Sequence, residues 1–409
     1  MKKLLCILFC LLFTTLTLVG CGEEDRNEWI DDKDGKYKDY ITDTSIPEVA
    51  LNLYIIVDDE TLDTSAGVII PEDKTGKIGE VTQAINTVNN AIKDFTTTNY
   101  HSPVNVIYVK ESEYDDVVVN AVNAPNGDAK AANIVLVNSY SLMQRLYETN
   151  KLCSLDDYLA NTKFARLNTS IPTALLEASK IETVVDGNAT KTLYTIPNNH
   201  VIGSYEYLLI NKEFARALKI QDTEINALTS YDDAVLLFES AMERENYSVD
   251  NLSNLLTLTS GSYEDRALYI SQGYFCNIVK MPIADKNEAF LSAFAIVDRN
   301  TDGSSVDINE RAMEIVYNIN MNVELRNLLQ YGVAGTNYKL DMNDDTVISE
   351  LLKGPNTYTM NLLYTGNVMN AYVCEEIGWN STTKANTEEQ NKDSVTVADS
   401  KQNSNSAVN

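Results

Sequence analysis

The chain has 409 residues, of which 44% are hydrophobic, and its 59 acidic against 32 basic side chains leave a formal net charge of −27. That charge disfavours nucleic acid and anionic lipid surfaces, which would repel it, while the length exceeds what a single core supports and predicts two lobes. Histidine occurs only as His101 and His200, and no HExxH, GxSxG or phosphate-cradling GxxxxGK[ST] is present, so metalloprotease, α/β-hydrolase and ATPase chemistries lack their parts.

At the start, Lys2 and Lys3 precede a mostly apolar run over residues 4–16 and the tetrapeptide Leu18-Val19-Gly20-Cys21. The run falls short of the ~20 residues that a comfortable membrane span needs, though an uncleaved anchor stays open as an alternative. The tetrapeptide resembles the lipobox of bacterial lipoproteins. That resemblance implies a signal peptide over 1–20 and a diacylglyceryl group on Cys21 as the mature N-terminus, at the extracellular face of the cytoplasmic membrane. Residues 21–48, with Glu23-Glu24-Asp25, Asp31-Asp32 and Asp34-Gly35, have the composition of an acidic tether. Beyond it the cysteines are Cys153, Cys276 and Cys374, an odd number without CxxC spacing. Buried free thiols are expected, one disulfide pair stays open, and neither a zinc site nor any cofactor is indicated.

The body alternates strands and helices. Residues 51–57 form a nearly continuous apolar run, as a strand covered on both faces would show. Ile78, Val81, Ile85, Val88, Ile92 and Phe95 share one helical face. A strand over 104–109, a helix over 114–122 and a buried strand over 134–137 follow, which together predict a parallel sheet. Ligands of such sheets bind beyond the carboxyl ends of the strands. Those ends carry Asp58 and Asp59, Lys110, and Asn138-Ser139-Tyr140. A second block starts near Thr192: 193–199 runs through a Pro-Asn-Asn break into a strand over 205–211 and a helix from Lys212. Residues 275–281 lead back, 290–297 add a strand to the first lobe, and helices follow over 310–321 and 323–329. The expected fold is α/β, a two-lobed hinged clamshell with each lobe a mostly parallel sheet flanked by helices. Its boundaries are 49–197 with 278–338 for lobe 1, 198–277 with 339–381 for lobe 2, and a disordered polar tail over 382–409.

Three segments then resemble motifs of the sugar-type, family 1 extracellular solute-binding proteins of Gram-positive bacteria. They are Arg326-Asn327-Leu328-Leu329-Gln330 leading into 331–340, Tyr194 to Asn199 leading into 205–212, and Tyr364-Thr365-Gly366-Asn367 with Gly378-Trp379 after it. The resemblance spans roughly residues 51–379. It implies a type II periplasmic-binding-protein fold that captures a solute and hands it to ABC permease subunits served by a separate ATPase, with the membrane met only through the lipid. Carbohydrate is the expected cargo, since saccharide sites combine aromatic platforms with hydrogen-bonding rims, and the chain holds 23 tyrosines. Candidate ligand-binding residues are Asp58, Asp59, Asn138, Ser139, Tyr140, Asn198, Asn199, Tyr205, Tyr207 and Trp379. Helix capping for Asn138 and Ser139, and packing for Tyr140, Tyr207 and Trp379, are the competing readings.

Asp298-Arg299-Asn300-Thr301-Asp302-Gly303 matches the opening of an EF-hand loop, but the twelfth position is Asn309, with Glu310 one residue late. A polar strand-to-helix turn is the better reading. No catalytic group is expected. A surface carbohydrate-active hydrolase and a non-transport adhesion or scaffold lipoprotein remain as alternatives.

Overall fold

A computed structural model of the chain describes residues 47–57, 68–69, 80–185, 188–249, 251–301 and 306–400. Cys21, the signal-like segment, the acidic stretch, Asp58 and Asp59 lie outside the described residues. The apolar run is strand β1 (Leu51–Val57), buried except at Asn52. Next come β2 (Val68–Ile69), α1 (Glu80–Tyr100), β3 (Val104–Lys110), α2 (Tyr114–Asn123), β4 (Ile134–Val137) and α3 (Tyr140–Glu148). The chain goes on through α4 (Thr173–Ser179) and a hairpin of β5 (Ile181–Val185) and β6 (Asn188–Thr192) to β7 (Thr195–Pro197). β1 pairs in parallel with β3 on one side and β4 on the other, and the burial of adjacent positions along both β1 and β4 means that both sheet faces are covered. On α1 the buried stripe is Ile85, Val88 and Ile92, and the buried Asn89 accepts the backbone N–H of Val106 at 2.8 Å, tying helix to strand.

A first crossing leads into β8 (Tyr205–Asn211), α5 (Lys212–Ala217), α6 (Tyr231–Glu245), β9 (Leu256–Gly261), α7 (Tyr263–Ser271) and β10 (Tyr274–Lys280). These make a second, three-stranded sheet in the order β10-β8-β9, with its own core of Leu208, Ile210, Phe214, Phe238 and Leu256. It is antiparallel throughout, against the expectation of a mostly parallel second sheet. β9 and β10, joined through α7, do run in the same direction. β8 lies between them and opposes both, and strand–helix alternation carries no information about which strands become neighbours.

The return crossing includes β11 (Ile283–Ala284) and leads to α8 (Lys286–Leu291), β12 (Ala293–Ile296), α9 (Ile308–Met321), α10 (Val323–Tyr331) and the pair β13 (Tyr338–Leu340) with β14 (Ile348–Leu351). β12 enters the first sheet antiparallel between β4 and β7, completing the order β2-β3-β1-β4-β12-β7. Arg299, past its end, is buried and donates to the carbonyls of Ala121, Val122 and Ala124, capping the carboxyl end of α2. In the EF-hand-like stretch the described oxygens serve a turn: Asp298 Oδ1 accepts from Asn309, Asn300 Oδ1 accepts from the Ile308 and Asn309 amides, and Asp307 caps α9. Residues 302–305 lie outside the described set, and no group of potential metal ligands occurs among the described residues.

Residues 339–381, expected in the second lobe, pack with the first sheet instead. The Tyr358 hydroxyl meets that of Tyr108 on β3 at 3.1 Å, and Tyr338, Ile348, Leu351 and Cys374 form a cluster with Tyr331 of α10. The polar tail is also ordered where described. It forms α11 (Ser381–Lys392) and β15 (Val395–Thr396), which runs parallel to β11. Helix α11 has few apolar residues to bury, and amides hold it. The Asn391 side chain donates to Asn199 Oδ1 (3.0 Å) and the His200 carbonyl (2.7 Å) and accepts the Ile202 N–H (3.0 Å), while Gln390 donates to the carbonyls of Ile202 and Gly203. The first crossing is thus bound by α11 and the second by β15. All described residues fall in one compact unit spanning 42–409.

The three cysteines described are free thiols, with Cys276 and Cys374 buried and Cys153 half-buried. Burial pushes the Cys153 and Cys276 thiols up to about 11 from an ordinary 9.0. Because the folded-state value is the higher one, the stability these neutral thiols contribute is complete below about pH 9 and is lost as pH rises toward 11. Urea midpoints at pH 8 and 10.5 should therefore fall more steeply for the parent chain than for Cys276→Ala.

Candidate functional site

The carboxyl ends of β1, β3, β4 and β7 lie along one edge of the first sheet. Register sets what stands there: Val137 of β4 pairs with Ala293 of β12, and Ala293 pairs with Pro197 of β7. Asn138, Ser292 and Asn198 therefore follow one another along the edge. Asn198 donates its Nδ2 to Ser292 Oγ at 2.8 Å, and Ser292 Oγ in turn donates to the Leu363 carbonyl. The side-chain oxygens of Asn138 and Asn198 are buried without a hydrogen-bond partner among the described residues. Each such orphan acceptor costs about 1–3 kcal/mol, and a hydroxyl donor would relieve it.

Above this edge runs an irregular strap, residues 359–372, and helix α10 holds it in place. The fully buried Arg326 donates Nε to the Asn367 carbonyl (3.1 Å) and Nη2 to the Leu362 carbonyl (3.2 Å); burial pulls its guanidinium down to about 10. One turn on, Gln330 donates to the Met360 carbonyl and accepts from Thr365 Oγ1 at 2.5 Å. Asn327 donates to the Asn370 carbonyl and accepts the Tyr372 N–H. Positions 326, 327 and 330 share a helical face at i, i+1 and i+4, so three buried polar side chains replace a strand ladder for a segment that has none. Trp379 closes the far side, buried among Val368, Met369 and Ala371.

Between strap and sheet edge lies a cavity of about 360 Å³. Val57, Met360, Leu362 and Ile377 supply apolar lining, and Glu111, Thr359, Asn361 and Tyr364 supply polar groups and one ring. Glu111 follows β3 directly and is exposed; its Oε1 lies 3.5 Å from the Tyr364 hydroxyl. Asp58 and Asp59 follow Val57 in sequence, outside the described residues. The arrangement offers apolar contact, a carboxylate acceptor, an amide and two hydroxyls on one concave surface. It can hold a polyhydroxylated molecule by stacking and hydrogen bonds.

The sequence-predicted residues divide. Asn138 and Asn198 come together at the edge under the strap, while Ser139 caps α3 by accepting the Leu142 N–H at 3.1 Å. Tyr140 stacks on Phe290 of α8, ring centroids 5.6 Å apart. Asn199 is engaged with Asn391 and with the Ser170 carbonyl. Tyr205 and Tyr207 lie instead in the second sheet's packing, fully buried, stacked on one another at 5.4 Å and bonded through their hydroxyls to Asp393 and to the Ser262 carbonyl. Burial, and then the Asp393 carboxylate, raise the Tyr205 hydroxyl well above its ordinary value. Trp379 is a packing anchor. Sequence reading missed Glu111, Thr359, Asn361 and Tyr364. Glu111 was within reach of the strand-end rule, one position beyond Lys110, whereas nothing local in 359–364 signals a cavity wall.

No protein-family model matches the chain, and no curated protein matches it. Its structural neighbours include solute-binding proteins for sugars and also iron-bound HitA of Pseudomonas aeruginosa. Among them, the N-glycan transport solute-binding protein of Streptococcus pneumoniae is 13% identical, with 85% of this chain and 83% of that one covered at a TM-score of 0.49. A family 1 extracellular solute-binding protein of Alicyclobacillus acidocaldarius is 11% identical, with 86% and 88% covered at 0.38. The sugar-binding protein MalE of Xanthomonas citri is 12% identical, with 68% and 77% covered at 0.30. Among the described residues, no helix is long and apolar enough to cross a membrane.

Proposed function

We propose that this chain is the solute-capturing component of an ABC importer, taking a small saccharide into the cavity between the first sheet's carboxyl edge and the 359–372 strap. The observation that carries the reading is that cavity: an apolar lining, the Glu111 carboxylate, the Asn361 amide and the Tyr364 ring, in a fold whose two sheets are joined by two crossings. The cavity's lining comes from the first sheet and the segment packed on it; a saccharide long enough to reach from there to the second sheet would favour a closed arrangement and shift the population toward it, and the closed surface is what a permease would recognise. Export and lipid attachment at Cys21 belong to the same reading, placing the receptor at the outer face of the cytoplasmic membrane of a Gram-positive cell. Permease subunits and a separate ATPase would complete the importer.

Isothermal titration calorimetry against a panel of mono- and oligosaccharides tests it. Binding of at least one sugar without turnover is expected; hydrolysis of the sugar, or no binding by any member together with unchanged scattering, would overturn it. Glu111→Ala should weaken that binding about tenfold, since a hydrogen bond to a charged group contributes about 1.5–3 kcal/mol. Its urea midpoint should stay that of the parent, because the side chain is exposed.

A further inference from the structure

Among the described residues, the second sheet leaves β10 with a free edge, since in the order β10-β8-β9 its ladder is made to β8 alone. A groove of about 560 Å³ runs along that edge. Its lining includes five consecutive strand residues, 274–278. Successive side chains of a strand point to opposite faces, so a groove lined by all five looks onto the edge backbone and not onto one face. Arg216 of α5 and Leu228 stand on one wall, Arg266 and Ile270 of α7 on the other. Asn277 fixes the first wall by donating to the carbonyls of Ile225 (2.6 Å) and Leu228 (3.0 Å). Lys212 lies over the Phe275 ring, 5.6 Å from its centroid. Proteins usually blunt such an edge with proline, inward charges or a covering segment. Here the only charge on β10 is Lys280 at its end, and Ile270 beside the groove is 44% exposed.

The charge is the second observation. In a chain with 59 acids and 32 bases, Lys212, Arg216 and Arg266 gather on this groove beside one acid, Asp222, and neither arginine is in an ion pair among the described residues. We propose that the groove docks an extended acidic segment of a partner protein, which joins β10 as an added strand. The ladder supplies affinity that does not depend on side chains. The alternating side chains of the guest enter the two walls, each with an arginine and an apolar residue, so the guest carries acidic and apolar residues on both of its faces. A polyanionic glycan would meet the cations but has no amides for the ladder.

The probe is a fluorescein-labelled octapeptide, Val-Glu-Glu-Val-Val-Glu-Glu-Val, blocked at both ends and titrated by anisotropy against the full chain. Binding is expected, with hydrogen-exchange protection rising over residues 274–278. Replacing glutamate by lysine in the peptide, or making R216E with R266E in the protein, should weaken it by about tenfold or more, as when a complementary charge is reversed at an interface. Two further peptides carry N-methyl groups on the odd or on the even residues. One set should abolish binding and the other leave it, because only alternate amides face the ladder. Equal binding by both sets, indifference to charge reversal, displacement of the peptide by a polyanionic glycan, or self-association of the chain through this edge would each overturn the proposal.

Discussion

Asn391→Ala is expected to lower the unfolding free energy by about 2–4 kcal/mol, read from urea denaturation followed by circular dichroism. The side chain is 8% exposed and makes three hydrogen bonds to the crossing, to Asn199 Oδ1, the His200 carbonyl and the Ile202 N–H. Truncation leaves the partners stranded where His200 and Ile202 are fully buried, and each stranded group costs about 1–3 kcal/mol. Asn391→Asp keeps the acceptor for Ile202 but sets a carboxylate against the His200 carbonyl, and should destabilise at least as much. Glu389→Ala, on the exposed side of the same helix, should lie within about 0.5 kcal/mol of the parent. If Asn391→Ala behaved like Glu389→Ala, the helix would not be what secures the crossing.

Gly366→Ala is expected to cost about 2–5 kcal/mol and to abolish saccharide binding, if the proposed site is the cavity under the strap. Gly366 has φ +105°, a conformation that L side chains rarely adopt, and a Cβ there would lie 2.5 Å from both Ile319 Cγ2 and the Ile319 carbonyl oxygen. Backbone strain contributes about 1–3 kcal/mol, and forcing a methyl into packed atoms a similar amount. The carbonyl belongs to α9 and has no freedom to retreat, so the strap moves. Gly366 sits between Thr365, bonded to Gln330, and Asn367, whose carbonyl receives Arg326, and the displacement spoils both ties. Calorimetry on the folded fraction separates the two effects: a stable variant with parental affinity would show that the strap does not shape the site.

Much of the first sheet was legible in the sequence because its strands are buried on both faces, which leaves uninterrupted apolar runs at 51–57 and 134–137. Helix α1 showed itself through spacings of three and four. Strand neighbours were not legible, because the preference of β8 for a place between β9 and β10 is a property of three segments together. Helix α11 escaped notice for a different reason. Its attachment uses Gln390 and Asn391, and an amide that will satisfy buried backbone looks in sequence like an amide in solvent. The site followed the same division. Asn138 could be placed from the end of β4, and Asn198 from the break after β7, but their adjacency depends on β12 entering between those strands in antiparallel register. The strap has neither apolar period nor strand pattern, and its course is set by Arg326, Asn327 and Gln330 some thirty to forty residues earlier.

Helix α11 also has a consequence in time. A ribosome delivers the 199–203 crossing about 190 residues before it delivers Gln390 and Asn391, the separations being 191 from His200 to Asn391 and 187 from Gly203 to Gln390. Both sheets can be complete while the joint between them is still bare backbone, since every strand of either sheet lies before residue 297. Folding units form in the order of synthesis when they are able to. A chain that folded in the order of its delivery, from a ribosome or across a membrane, would pass through a stage with two formed sheets and an unsealed joint, and that joint is where a protease or a chaperone would distinguish an unfinished molecule from a finished one.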